Sequence, residues 1–167
     1  MVYATIADLL QAATGGWDEL AQRAALNALV DGQLMQATVE GTERAAWTAP
    51  AVEAADAALL RINDALARAS AHADTYMFPR YRTVMPLAAE LVAGSSLPAA
   101  VAAIALKRLY GHLVPEEVRK GTQWADDYLR DLSKGVVSLG GLDATVAQPA
   151  GHMVSRAQGK AFDWGSY

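Results

Sequence analysis

Cysteine is absent from the 167 residues, which excludes a disulfide framework, a thiolate metal site and a cysteine nucleophile, and is compatible with a reducing compartment. Aromatic residues make up only 7% of the chain and phenylalanine occurs twice, while alanine recurs throughout. That balance disfavours strand-rich folds and favours helices, where alanine loses no side-chain entropy. No stretch reaches the roughly 18 uncharged apolar residues of a membrane span. The longest apolar run, Leu97 to Leu106, is too short and meets Lys107 and Arg108 at once, so it reads as a buried helix. The opening Met1-Val2-Tyr3-Ala4-Thr5 lacks the basic start and apolar core of a signal peptide. Charge of one sign is not blocked either: the net charge is -4, with acids and bases interleaved. A protein that grips phosphates normally shows a basic stripe, so tight DNA binding is disfavoured. What is present is 53% hydrophobic content, ample for the core of one soluble domain of this length.

Helix signals punctuate the chain. Thr5 is placed to cap a short helix to about Ala13, with Asp8 three residues on, and Gly15-Gly16 stops it. Asp18 opens a second helix carrying Leu20, Ala24 and Leu29 as far as Asp31-Gly32. From Gly32 to Pro50 the pattern fades, and a loop with a short strand or hairpin is expected. Val52, Ala55, Leu59, Ile62, Leu66, Ala69, Ala73 and Tyr76 then alternate steps of three and four, the mark of a long amphipathic helix. Pro79 and Pro86 bias the residues before them away from helical angles, which predicts an extended, kinked connector between Tyr76 and Pro86. Ser95 or Ser96, with Pro98 in the first turn, opens a core helix that Gly111 caps. Pro115 starts another, with Val118, Ala125, Leu129 and Leu132 inward and Gly135 at its end; Gly121 inside it suggests a tight crossing.

The fold expected is all-α: a small helical bundle of about four helices, with a long central helix, an irregular loop and an extended C-terminal arm. The helical domain spans 1–134. The arm, 135–167, is glycine-rich yet keeps Val136, Val137, Leu139, Val146, Met153, Val154, Phe162, Trp164 and Tyr167, side chains suited to a partner's surface.

Chemistry-bearing patterns are sparse. His72, His112 and His152 lie far apart, with no carboxylate at helical ligand spacing, so no metal site is expected. Glu116-Glu117 and Asp126-Asp127 sit at adjacent positions that do not face each other, and read as helix-end and solvated carboxylates. Gly15-Gly16 and Gly140-Gly141 lack the context of a phosphate loop, and no serine elbow occurs. Neither catalytic residues nor a cofactor are predicted. Arg80 and Arg82 flank Tyr81; the expectation is that Tyr76, Phe78 and Tyr81 fill the gap between helices while the arginines pair with carboxylates. Of the four tryptophans, Trp164 is the expected interface anchor.

Several of these pieces, in order, resemble the head-tail connector proteins of Mu-type tailed phages. They are Tyr3-Ala4-Thr5 with Asp8-Leu9, the long helix ending at Tyr76, Arg80-Tyr81, Pro86-Leu87, Arg108-Leu109-Tyr110, Pro115-Glu116-Glu117-Val118, Trp124, Tyr128-Leu129 and the exit from Gly135 to Gly140. The resemblance implies a non-enzymatic virion protein of the neck, present in the host cytoplasm during assembly. It would form a ring of twelve copies beneath the portal protein, continue the DNA channel without specific DNA binding, and present a surface to a downstream neck or tail-terminator protein. No membrane is involved. The residues also admit an alternative, a helical ligand-binding or regulatory module with its pocket among Tyr76, Phe78, Tyr81 and Tyr110.

Overall fold

Thr5 begins the first helix as its side chain dictates: its hydroxyl accepts from the Asp8 amide at 3.2 Å, and the Asp8 carboxylate accepts from the Thr5 amide at 2.7 Å. This reciprocal pair satisfies two amides that a helix start leaves open. The computed structural model describes residues 1–141, 143 and 145. Among them it has seven α-helices and no strand: α1 (Ile6–Ala12), α2 (Gly16–Ala25), α3 (Gly32–Glu40), α4 (Ala49–Tyr81), α5 (Ala89–Ala93), α6 (Leu97–Leu109) and α7 (Glu116–Lys134). The all-α expectation holds, but four helices understates the count.

The second helix ends earlier than its apolar spacing suggested. Leu26 takes left-handed angles at φ 53°, the Asn27 side chain accepts from the Leu29 amide at 3.0 Å, and Leu29 faces solvent. The expected loop or hairpin after Gly32 is instead mostly α3. Asp31 caps it by accepting from the Leu34 amide at 2.7 Å, and Gly41 closes it at φ 69°. Gly32 has a steric reason to be glycine: a Cβ there would lie 2.3 Å from Asp18 Oδ1 and 2.9 Å from the Asp18 backbone nitrogen. The same Asp18 carboxylate accepts from the Gly32 amide at 3.0 Å, which joins α2 to the head of α3.

α4 runs 33 residues, about 50 Å at 1.5 Å per residue. It passes through Pro79 to Tyr81, so the expected extended connector begins only after the helix. Pro79 forfeits one amide bond in the last turn, and burial of Met77 and Tyr81 outweighs that loss. The buried stripe is Ala51, Ala55, Ala58, Ile62, Ala65, Leu66, Ala69, Ser70, Ala73, Met77 and Tyr81. Val52, Leu59 and Tyr76 stand at its edge, half-buried. Alanine along the seam lets α2, α3, α6 and α7 all pack on this one helix.

α6 is the core helix the sequence announces. Every residue from Ala100 to Leu106 is buried, and it packs against α1, α4, α5 and α7. Pro98 occupies its first turn and Gly111 turns left-handed just past its end. α7 starts at Pro115, buries Thr122, Ala125, Leu129 and Leu132, and ends on Gly135 at φ 76°. Gly121 does not mark a tight crossing, because a Cβ built there meets nothing within 4 Å.

Candidate functional site

Several residues that carried the sequence resemblance tie elements together. Tyr3 is buried against α4: its amide donates to Ser70 Oγ at 3.0 Å and its hydroxyl to Asp74 Oδ1 at 2.5 Å. Burial and the Asp74 carboxylate raise its phenol well above the usual range. At the C-terminal end of α6, the Tyr110 hydroxyl donates to Glu19, while the Arg23 guanidinium lies 4.3 Å over its ring.

Arg80 and Tyr81 form the densest of these ties. Arg80 Nη1 donates to the Leu132 carbonyl at 3.2 Å and the Val137 carbonyl at 2.8 Å, and its other nitrogen lies 4.0 Å from Asp143. The fully buried Tyr81 donates to Asp143 Oδ2 at 2.6 Å. The Leu139 amide donates to that oxygen at 3.0 Å, and the Thr145 amide to Oδ1 at 2.9 Å. Burial alone would raise Asp143, but hydrogen bonds from Thr145, Tyr81 and the Leu139 amide outweigh it and hold the carboxyl down at about 2. Burial, reinforced by the bond to Asp143, pushes the Tyr81 phenol up to about 12. The first residues of the expected arm are thereby fastened to the body. Leu139 is 1% exposed and belongs to the core of its own chain, so it is not on a partner-facing surface. Val137 packs partly against that core, and Val136 is exposed. Val146, Met153, Val154, Phe162, Trp164 and Tyr167 lie outside the described residues.

An open groove of about 470 Å³ lies where α1, α6 and α7 meet. Ala12, Ala99, Ala103, Leu106 and Val118 give it an apolar floor, and Gly121 and the half-exposed Trp124 stand on the α7 side. Asp8, Glu19 and Glu117 line it, and no lysine or arginine does. The groove combines apolar contact area with one sign of charge, as a surface for an apolar, cationic segment requires. Sequence reading missed it, since it joins elements more than a hundred residues apart; the signal in hand was Gly121, whose missing side chain leaves open space instead of a close crossing.

A family model described as bacteriophage Mu Gp36 matches residues 3–157. The chain belongs to the bacteriophage Mu Gp36 family. No curated protein and no solved structure matches it. The Gp36 match takes in both ends of the described fold, from the Tyr3 anchor to the Asp143 latch, and continues past them to residue 157.

Phe78 is 60% exposed, so it fills no gap between helices; Met77 takes that place. Tyr81 is sealed inside, Tyr110 is held by Glu19 and Arg23, and neither the groove above nor the cavity between α2 and the head of α3 is lined by any of Tyr76, Phe78, Tyr81 and Tyr110. His72 is half-buried, edge-on to Tyr76 at 5.2 Å and 3.9 Å from Asp126. Asp126 also holds Lys107 at 3.2 Å, so it ties α7 to α6 and is not simply solvated. Among the described residues no group of three His, Cys, Asp or Glu could hold a metal, and no helix is long and apolar enough to cross a membrane.

Proposed function

We infer that this phage protein is a head-tail connector: copies form a ring beneath the portal, continue the DNA channel and offer a surface to the next neck or tail component. The observation that carries this reading is the Gp36-family match over residues 3–157. Its action is mechanical attachment, without catalysis or a cofactor. The balance of charge suits such a part, because a net charge of -4 without basic blocks lets DNA pass without being gripped.

A closed ring needs two unlike, mutually complementary surfaces on every copy. On this reading the Trp124 groove serves as one, and the apolar side chains Val146, Met153, Val154, Phe162, Trp164 and Tyr167 serve as the other. The test is to co-assemble the purified chain with the portal protein encoded in the same genome, and to image the particles. A ring of this chain under the portal is expected. A chain that stays apart from portal at every concentration tested removes the connector reading.

A further inference from the structure

We propose that the groove edged by Trp124 is filled by the segment 146–167 of a neighbouring copy, so that the ring closes by each chain laying its C-terminal segment into the next chain's groove. This rests on the connector reading and gives it a particular contact.

Charge and shape argue for that occupant. The groove offers Ala103, Leu106 and Val118 as floor, with the carboxylates of Asp8, Glu19 and Glu117 around them and no cationic side chain among its lining residues. The segment beyond Thr145 has the opposite character: Arg156 and Lys160 stand against a single acid, Asp163, and are interleaved with Met153, Val154, Phe162 and Trp164. Apolar side chains flanked by cations match an apolar floor lined by carboxylates.

Reach is sufficient. The Asp143 latch fixes where the segment departs, beside the end of α4. From Thr145 to Phe162 the chain can extend about 56 Å at 3.3 Å per residue, more than the length of α4. A second copy packed alongside is therefore within range. Groove and segment are different surfaces, so pairing them between copies is heterologous and propagates around a ring, which a groove satisfied by its own segment could not do.

The absence of native cysteine gives a direct test on the full chain. Gly121→Cys places a thiol at the groove where a Cβ meets nothing within 4 Å, and Phe162→Cys places one in the segment. Mixing the two single variants under mild oxidation is expected to give a disulfide-linked dimer whose yield rises with concentration. Pairing Phe162→Cys with Leu113→Cys, at an exposed position that does not line the groove, should give little. Adding Trp124→Ala to the Gly121→Cys chain should cut the dimer yield at least about tenfold, the scale of losing an aromatic anchor. Adding salt should weaken it further.

Absence of the Gly121–Phe162 dimer at all concentrations overturns the proposal. So does an intrachain bridge in the double variant with no dimer between the singles, because the groove would then hold its own chain's segment. If rings still assemble on the portal while this crosslink fails, the connector reading survives and only this contact falls. If neither forms, both fall.

Discussion

Asp143 accepts four hydrogen bonds, from the Tyr81 hydroxyl, the Leu139 amide, and the Thr145 amide and hydroxyl. Its carboxyl sits at about 2 in the folded chain against an ordinary 3.8, which corresponds to about 2 kcal/mol of folding stability. Because the folded value is depressed, that contribution is complete above the unfolded value and disappears as pH falls through about 2. Asp143→Asn is therefore expected to lower Tm at pH 7 by about 4–8 °C for a domain of this size. Melting curves taken at successively lower pH should show the gap to the parent chain closing towards pH 2; a gap independent of pH would mean that the carboxylate's charge is not what fastens the segment. Sequence reading picked out Arg80-Tyr81 but not Asp143, since 62 residues separate Tyr81 from its partner and a lone Asp in a glycine-rich stretch carries no local signature. Trp164 was the tryptophan the sequence singled out; the groove that gives Trp124 a use depends on side chains from α1 and α6, far from it in sequence.

Several helix ends set by a local device were legible, though the αL turn at Leu26, the start of α2 at Gly16 and the Asp31 and Gly41 ends of α3 were not. Thr5 with Asp8, Pro98, Pro115, Gly111 and Gly135 each act within one turn of their own position, and each lies where it was expected. Elements decided by distant packing were not legible. α3 has a weak apolar face, and its start depends on Asp31 and on the close approach of Asp18 to Gly32. α4 continues through Pro79 because Met77 and Tyr81 are wholly buried, a tertiary gain that exceeds the local preference of the residue before proline. The α2–α3 junction makes its own prediction. Gly32→Ala would drive a methyl group into the Asp18 backbone and carboxylate, so it should destabilise the chain by about 1–3 kcal/mol, as overpacking generally does, despite alanine's better helix propensity. Urea unfolding would measure this, and an unchanged or higher midpoint would show that the junction can open without cost.

Taken as one body, the described chain does not end where the helical period ends. The sequence suggests a division at Gly135, yet Val137, Leu139 and Asp143 pack or bond onto α4 and α7. Truncation after Lys134 removes the buried Leu139 and orphans Arg80 and Tyr81, while truncation after Thr145 keeps both. The longer form should melt within a few degrees of the full chain, whereas the shorter should lose about 4–8 kcal/mol, the sum expected for a buried leucine and a charged hydrogen-bond cluster. Calorimetry on the two would decide it, and equal melting would contradict the latch. The long central helix could be read from periodicity and the all-α class from composition, because both depend on residues near one another in sequence or on their overall balance. The groove and the latch could not, because they arise where separate helices meet.

Tyr3 fastens one end of the described chain at Ser70 and Asp74, and Asp143 fastens the other at Tyr81. Both clamps thus grip the same stretch of α4, about 16 Å long at 1.5 Å per residue. Tension applied between the two ends would load that short span and its bonds first, sparing α2, α3 and the leading half of α4. Pulled by its two ends, the chain would then yield by unpeeling its termini before its helical body gave way.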